Sequence, residues 1–142
     1  MTELLPTSPD QPTSRGPAAW FTGDVWFDVL AAPPAPARLR VNTVRFAPGA
    51  RTHWHVHSAG QSLHVTQGLA RVGTRDGRVV EVRPGQTVWC PPGEWHWHGA
   101  GPDSFMEHLA MWEAAESDDG AGTTWGEAVD DVTYHRPDGD RA

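Results

Sequence analysis

Basic residues are scarce in this chain. Lysine and arginine together number 11 of 142 residues against 18 aspartates and glutamates, which leaves a formal charge of −7 and a pI near 5.5. Nucleic acid and anionic membrane surfaces both require a basic face, so neither is expected as a partner. Cysteine occurs once, at Cys90, which excludes an internal disulfide and gives no sign of an oxidising compartment. A cytoplasmic setting is the expectation. No window approaches the roughly 18 apolar residues of a membrane span, and no apolar stretch follows the charged start in the manner of a signal peptide. The chain reads as soluble. Long helices are missing too, because 13 prolines and 15 glycines interrupt every candidate window before residue 112.

What remains is a succession of short apolar runs: VWFDVL (25–30), LRVNTVRF (39–46), SLHVTQGLARVG (62–73), VVEVRPGQTVWC (79–90) and SFMEHLAMWE (104–113). Each has strand length and roughly alternates apolar with polar. Pro, Gly and Asp build the turns between them, as in APPAPA, APGA, TRDG, RPGQ, PPGE and GAGPDS. One domain of this length is all-β, an antiparallel sandwich or small barrel. Residues 1–17, rich in Pro, Ser and Thr, read as a flexible arm, with structure beginning near Trp20. The barrel proper should occupy 18–113. Residues 114–142 form an acidic extension with room for one short helix, N-capped by Thr123 or Thr124.

Histidine is concentrated where chemistry would need it. In RTHWHVHSAGQ (51–61), strand alternation puts His53, His55 and His57 on one face, and the turn SAG can bring the Gln61 amide back towards them. In PPGEWHWHGA (91–100), His96 and His98 again share a face just after a Pro-Pro-Gly turn. Imidazoles and a carboxamide oxygen suit Mn²⁺, Fe²⁺, Co²⁺, Ni²⁺ or Zn²⁺, and four such ligands leave two positions open on an octahedral ion. Closed structural zinc sites more often use cysteine, and the single cysteine here reads as a small buried hydrophobe. His108 in MEHLAM shares a strand face with Met106, Ala110 and Trp112, outside both histidine segments. His53 reads as a rim residue and His64 as packed or at an interface. Trp54, Trp97 and Trp112 are the tryptophans nearest the site in sequence.

The spacing of these residues resembles the cupins. Gly49 to Gly68 fits the first cupin motif, and Gly85 to Ala100 fits the second, although Gln61 stands where a glutamate is usual and Ala100 where an asparagine is. Beyond the motifs, the chain is similar to the small bacterial manganese-dependent hydroxynitrile lyases from about Gly16 to Tyr134. That similarity includes GPAAWFTGDVWFD, MEHLA and a W-x-E-x-V-x-D-x-x-Y tail from Trp125 to Tyr134.

The resemblance implies a cupin double-stranded β-helix, or jelly-roll barrel, with a short irregular or helical C-terminal tail. It implies one divalent metal, Mn in the first place with Fe, Zn, Ni and Co as alternatives, held by His55, His57, Gln61 and His96. His108 and His98 become the candidate acid/base residues, and Asn42, Val44 and Trp112 candidate lining of the substrate pocket. Asn42 and Trp112 depart from the lyases, which carry a small apolar residue and a glutamine there, so the substrate is left open. A homodimer or dimer of dimers acting on a small molecule is implied. The expected activity is Lewis-acid cleavage or formation of a cyanohydrin C–C bond. An iron-dependent dioxygenase and a non-catalytic small-ligand binder are the alternatives.

Overall fold

A computed structural model describes residues 4, 6, 12–115 and 122–139. In chain order its strands are β1 (Ser14–Arg15), β2 (Phe21–Thr22), β3 (Val25–Ala31), β4 (Leu39–Phe46), β5 (Arg51–Thr52), β6 (His55–His57) and β7 (Gln61–Gly68). There follow β8 (Ala70–Thr74), β9 (Val79–Val82), β10 (Thr87–Cys90), β11 (His96–Ala100), β12 (Met106–Glu113) and β13 (Thr123–Trp125), with one helical turn, α1 (Asp131–Tyr134). They form two antiparallel sheets. One runs β1-β3-β4-β12-β7-β10; the other runs β13-β6-β11-β5-β2, with β8 joining β11 to β9.

Alternation explains why these segments curl around a common interior. Met106, His108 and Ala110 of β12 are buried between the more exposed Glu107, Leu109 and Met111, and Gln61, Leu63 and Val65 of β7 are buried between Ser62 and His64. Both strands therefore turn one face inward, where Val25, Val44, Phe46, Leu63, Val65 and Met106 fill the space between the sheets. Each such side chain contributes about 1.5–3 kcal/mol by leaving water. Two motif glycines show why the motif needs them. Gly68 has φ +76, and a Cβ there would lie 1.7 Å from the Phe105 carbonyl oxygen. Gly93, at φ +79, closes the Pro-Pro-Gly turn that aims β11 into the barrel.

Every residue of β11 is buried. One face, with His96 and His98, points into the barrel, and the other carries Trp97 against a second cluster of Trp54, Val79, Val129 and Tyr134. Val129 and Tyr134 belong to the C-terminal tail, which lies across the outside of the second sheet. Arg51 fastens it by donating to the Val129 carbonyl at 2.8 Å and to Asp131 at 2.9 Å, and Arg71 donates to the Tyr134 carbonyl at 3.1 Å. The Arg51 guanidinium also stacks 4.5 Å from the Tyr134 ring.

Two expectations about the ends are corrected. Thr123 and Thr124 do not cap a helix: β-branched and hydrogen-bonded to β6, they extend the sheet, and the helical turn starts later, where the Asp130 carboxylate accepts from the Thr133 N–H at 2.8 Å. Order also begins before Trp20, since Ser14 and Arg15 pair with Phe27 and Trp26, and Thr13 donates to Asp28 at 2.6 Å. Among the described residues no helix is long and apolar enough to cross a membrane.

Candidate metal centre and cavity

Strand pairing brings the two histidine segments face to face. His96 of β11 lies opposite His55 of β6, with ring centroids 4.3 Å apart; His57 stands 5.2 Å from His55 and 5.8 Å from His96. Gln61 approaches from the other sheet, at the start of β7, and its side chain also reaches His55 and His57.

The outer ring nitrogens decide what the inner ones can do. His55 Nδ1 lies 2.9 Å from the His53 carbonyl oxygen and His96 Nδ1 lies 3.0 Å from that of Glu94. A carbonyl only accepts, so both Nδ1 atoms carry the proton and both Nε2 atoms present lone pairs. Gln61 Oε1 faces His96 Nε2 at 3.1 Å, two acceptors with no hydrogen between them. Turning the amide over does not resolve this, because two N–H groups cannot serve three converging imidazoles. Protonation does not either: burial pushes His55 well below the usual imidazole range, lowers His96, and brings His57 to about 3. His57 Nε2 is buried without a hydrogen-bond partner among the described residues. A divalent cation is the species that satisfies this set of neutral donors, so the residues fit a metal.

His98 sits beside the cluster, its ligand atom within 4.8 Å of those of His55 and His96. Its Nδ1 is 2.9 Å from His108 Nε2, which leaves Nε2 as the nitrogen free to face inward. Desolvation holds both rings neutral, bringing His108 to about 4 and His98 well below its ordinary value. His98 lines the cavity described next. His108, packed against Phe46 with ring centroids 5.3 Å apart, stands behind it.

The cavity has a volume of about 260 Å³ and opens directly onto His55, His57, Gln61 and His98. Asn42, Val44 and Trp112 line it, with Trp112 5.8 Å from His57. Several lining residues escape the sequence reading. Phe21 and Phe27 come from β2 and β3, Thr123 and Trp125 from β13, and Trp20 stacks on Trp125 with centroids 5.2 Å apart and planes within 5°. Trp125 in turn lies 4.7 Å from the His55 ring. The only trace of this in the sequence is the tail pattern that begins at Trp125. Trp54 and Trp97, adjacent to ligand histidines in the chain, point to the opposite side and pack under the tail, as alternation requires.

His53 and His64, the other histidines of the barrel, do not join the cluster, and His135 lies in the tail beside Tyr134. His53 is half-buried and supplies its carbonyl to His55, and His64 Nδ1 meets the Thr87 hydroxyl at 2.8 Å on the outer face. Cys90 is buried, its thiol pushed up to about 12 by desolvation and the nearby Glu94 carboxylate, so it stays protonated and inert.

Comparison with known proteins agrees with this architecture. The Cupin domain family model matches residues 42–109. An (R)-mandelonitrile lyase of Granulicella tundricola is 47% identical over 126 residues, covering 89% of this chain and 94% of its own length. The crystal structure of a cupin-like protein from Thermotoga maritima superposes with a TM-score of 0.79 at 32% identity, over 90% of this chain and 95% of that one. The polyketide cyclase RemF of Streptomyces resistomycificus shares the fold, with a TM-score of 0.65 at 21% identity over 94% and 90% of the two chains. The motifs, the two-sheet barrel and the 47% identity agree, and the chain belongs to the cupin superfamily as a small cupin resembling the hydroxynitrile lyases.

Proposed function

We propose that the protein is a metal-dependent hydroxynitrile lyase, which cleaves a cyanohydrin to an aldehyde and hydrogen cyanide and runs the reverse addition. The observation that carries this reading is His98, neutral and backed by His108 at 2.9 Å, facing an apolar cavity beside the cluster of His55, His57, Gln61 and His96. The 47% identity to a mandelonitrile lyase supports it. His55, His57, Gln61 and His96 would hold the ion; this donor set accepts several divalent metals, and the resemblance to the manganese-dependent lyases puts Mn²⁺ first. When bound, the ion supplies a Lewis acid that lowers the pKa of the substrate hydroxyl.

This chain's own residues do the rest. The walls of Phe21, Phe27, Val44 and Trp112 exclude water and receive the organic group of the cyanohydrin, while Asn42 offers a donor and an acceptor near its polar end. His98 Nε2 takes the hydroxyl proton. As the O–H bond breaks, its electrons form the C=O bond, and the electrons of the C–C bond leave with cyanide, which takes the proton back from His98 and departs as HCN. His98 can accept because its Nδ1 proton is held by, or passed to, His108 Nε2 at 2.9 Å. An uncharged imidazole is therefore kept ready at neutral pH.

The test is (R)-mandelonitrile cleavage followed as benzaldehyde release, with and without oxygen, on protein loaded with Mn²⁺ and on protein stripped by chelator. Turnover that needs metal and ignores oxygen is expected. Substrate-dependent oxygen uptake by the iron form, with no cleavage of any cyanohydrin in a panel, would replace this reading with the dioxygenase.

A further inference from the structure

The three candidate imidazole ligands are not oriented alike. His55 and His96 are each met by a main-chain carbonyl two residues earlier in the chain, just before their strands begin, at 2.9 and 3.0 Å, so both contacts are local in sequence. His57 has no such arrangement. Its Nδ1 is met at 3.0 Å by the hydroxyl of Thr123, 66 residues along the chain. The difference matters because a carbonyl can only accept, which forces the tautomer that leaves Nε2 free, whereas a hydroxyl can donate or accept and must be held in place to do the same work.

The structure holds it in place. β13 pairs with β6 in the register Thr123↔His57 and Trp125↔His55, so strand alternation turns both side chains towards the imidazoles and leaves Thr124 outside. Main-chain bonds from Ser58 to the Gly122 carbonyl at 3.0 Å, and from Trp54 to that of Glu127 at 2.9 Å, fix the segment at both ends. Further along, the buried guanidinium of Arg51 clamps Val129 and Asp131, and the Tyr134 hydroxyl donates to the Ala100 carbonyl at the end of β11.

We propose that Thr123 is a positioning residue for His57, so that the C-terminal segment is part of the metal centre and sets how tightly it holds a divalent ion. This rests on the reading that His55, His57, Gln61 and His96 bind that ion.

The experiment is titration of the full-length apoprotein with Co²⁺, read by visible absorption and by competition with a chelator, on wild type, Thr123→Val and Thr123→Ser. Val keeps the shape and the β-branch but removes the hydroxyl, and should weaken binding about 10–100-fold with a changed Co²⁺ spectrum. Ser should restore most of the affinity and the wild-type spectrum. In a His57→Ala background, Thr123→Val should cause no further loss, because Thr123 acts through His57. Far-UV circular dichroism confirms the fold of each apoprotein, and Thr123→Ala replaces Val should Val not fold. Wild-type affinity in the Val variant overturns the proposal, as does a Ser variant as weak as Val, since packing alone would then explain the effect. A wild-type protein that takes up neither Co²⁺ nor Mn²⁺ overturns the functional reading itself, and this inference with it.

Discussion

Neutral imidazole is the form that burial imposes on His55, His57, His96, His98 and His108, and for each the largest cause is desolvation. What separates their roles is the partner of the second ring nitrogen. A ring whose Nδ1 meets a carbonyl is fixed as a donor of its Nε2 lone pair, whereas His98, whose Nδ1 meets another imidazole, can pass a proton on. Removal should therefore fail in different ways. His96→Ala should empty the centre, measured as metal per chain, while His108→Ala should keep metal near the wild-type content and lose about 10²-fold or more in turnover. Normal turnover by folded His108→Ala would remove it from the mechanism. At this scale the sequence was informative for residues within the two motifs, because their spacing encodes one strand face each. It is silent on Thr123 and marks Trp125 only as the start of the tail pattern, because their contacts with His57 and His55 depend on how a distant segment docks.

Among the elements, the short strands fall where the alternating runs place them, and β12 and β7 show the pattern residue by residue. The tail is not legible locally, because Thr123 and Thr124 carry no signal that outweighs pairing with β6 and because its anchors Arg51 and Arg71 lie about 60–80 residues away. The turn between β7 and β8 offers a test of the motif's glycine. Gly68→Ala would place a Cβ against the Phe105 carbonyl at a positive φ, so the β7–β8 and β7–β12 junctions must shift together. A destabilisation of more than about 2 kcal/mol in urea unfolding is expected. A variant as stable as wild type would show that the junction relaxes freely.

At the scale of the whole molecule, the candidate centre straddles the fold. His55, His57 and His96 belong to one sheet and Gln61 to the other, so an ion held by all four joins the two halves of the barrel. Binding to the folded form alone stabilises it by about 2.7 kcal/mol at a hundredfold excess over Kd. Saturating Mn²⁺ should raise the melting temperature by several degrees, chelator should reverse the rise, and Gln61→Ala should abolish most of it. An unchanged midpoint with saturating metal would contradict a shared centre.

The docked tail also bears on where the chain could be shortened. All four candidate ligands, His55, His57, Gln61 and His96, precede residue 123, whereas the hydroxyl beside His57 comes from Thr123 and part of the cover over Trp54 and Trp97 from Val129 and Tyr134. A chain cut before residue 123 would therefore keep every candidate ligand, lose the group that meets His57 Nδ1, and turn part of two large indoles towards water, the kind of apolar patch through which proteins associate.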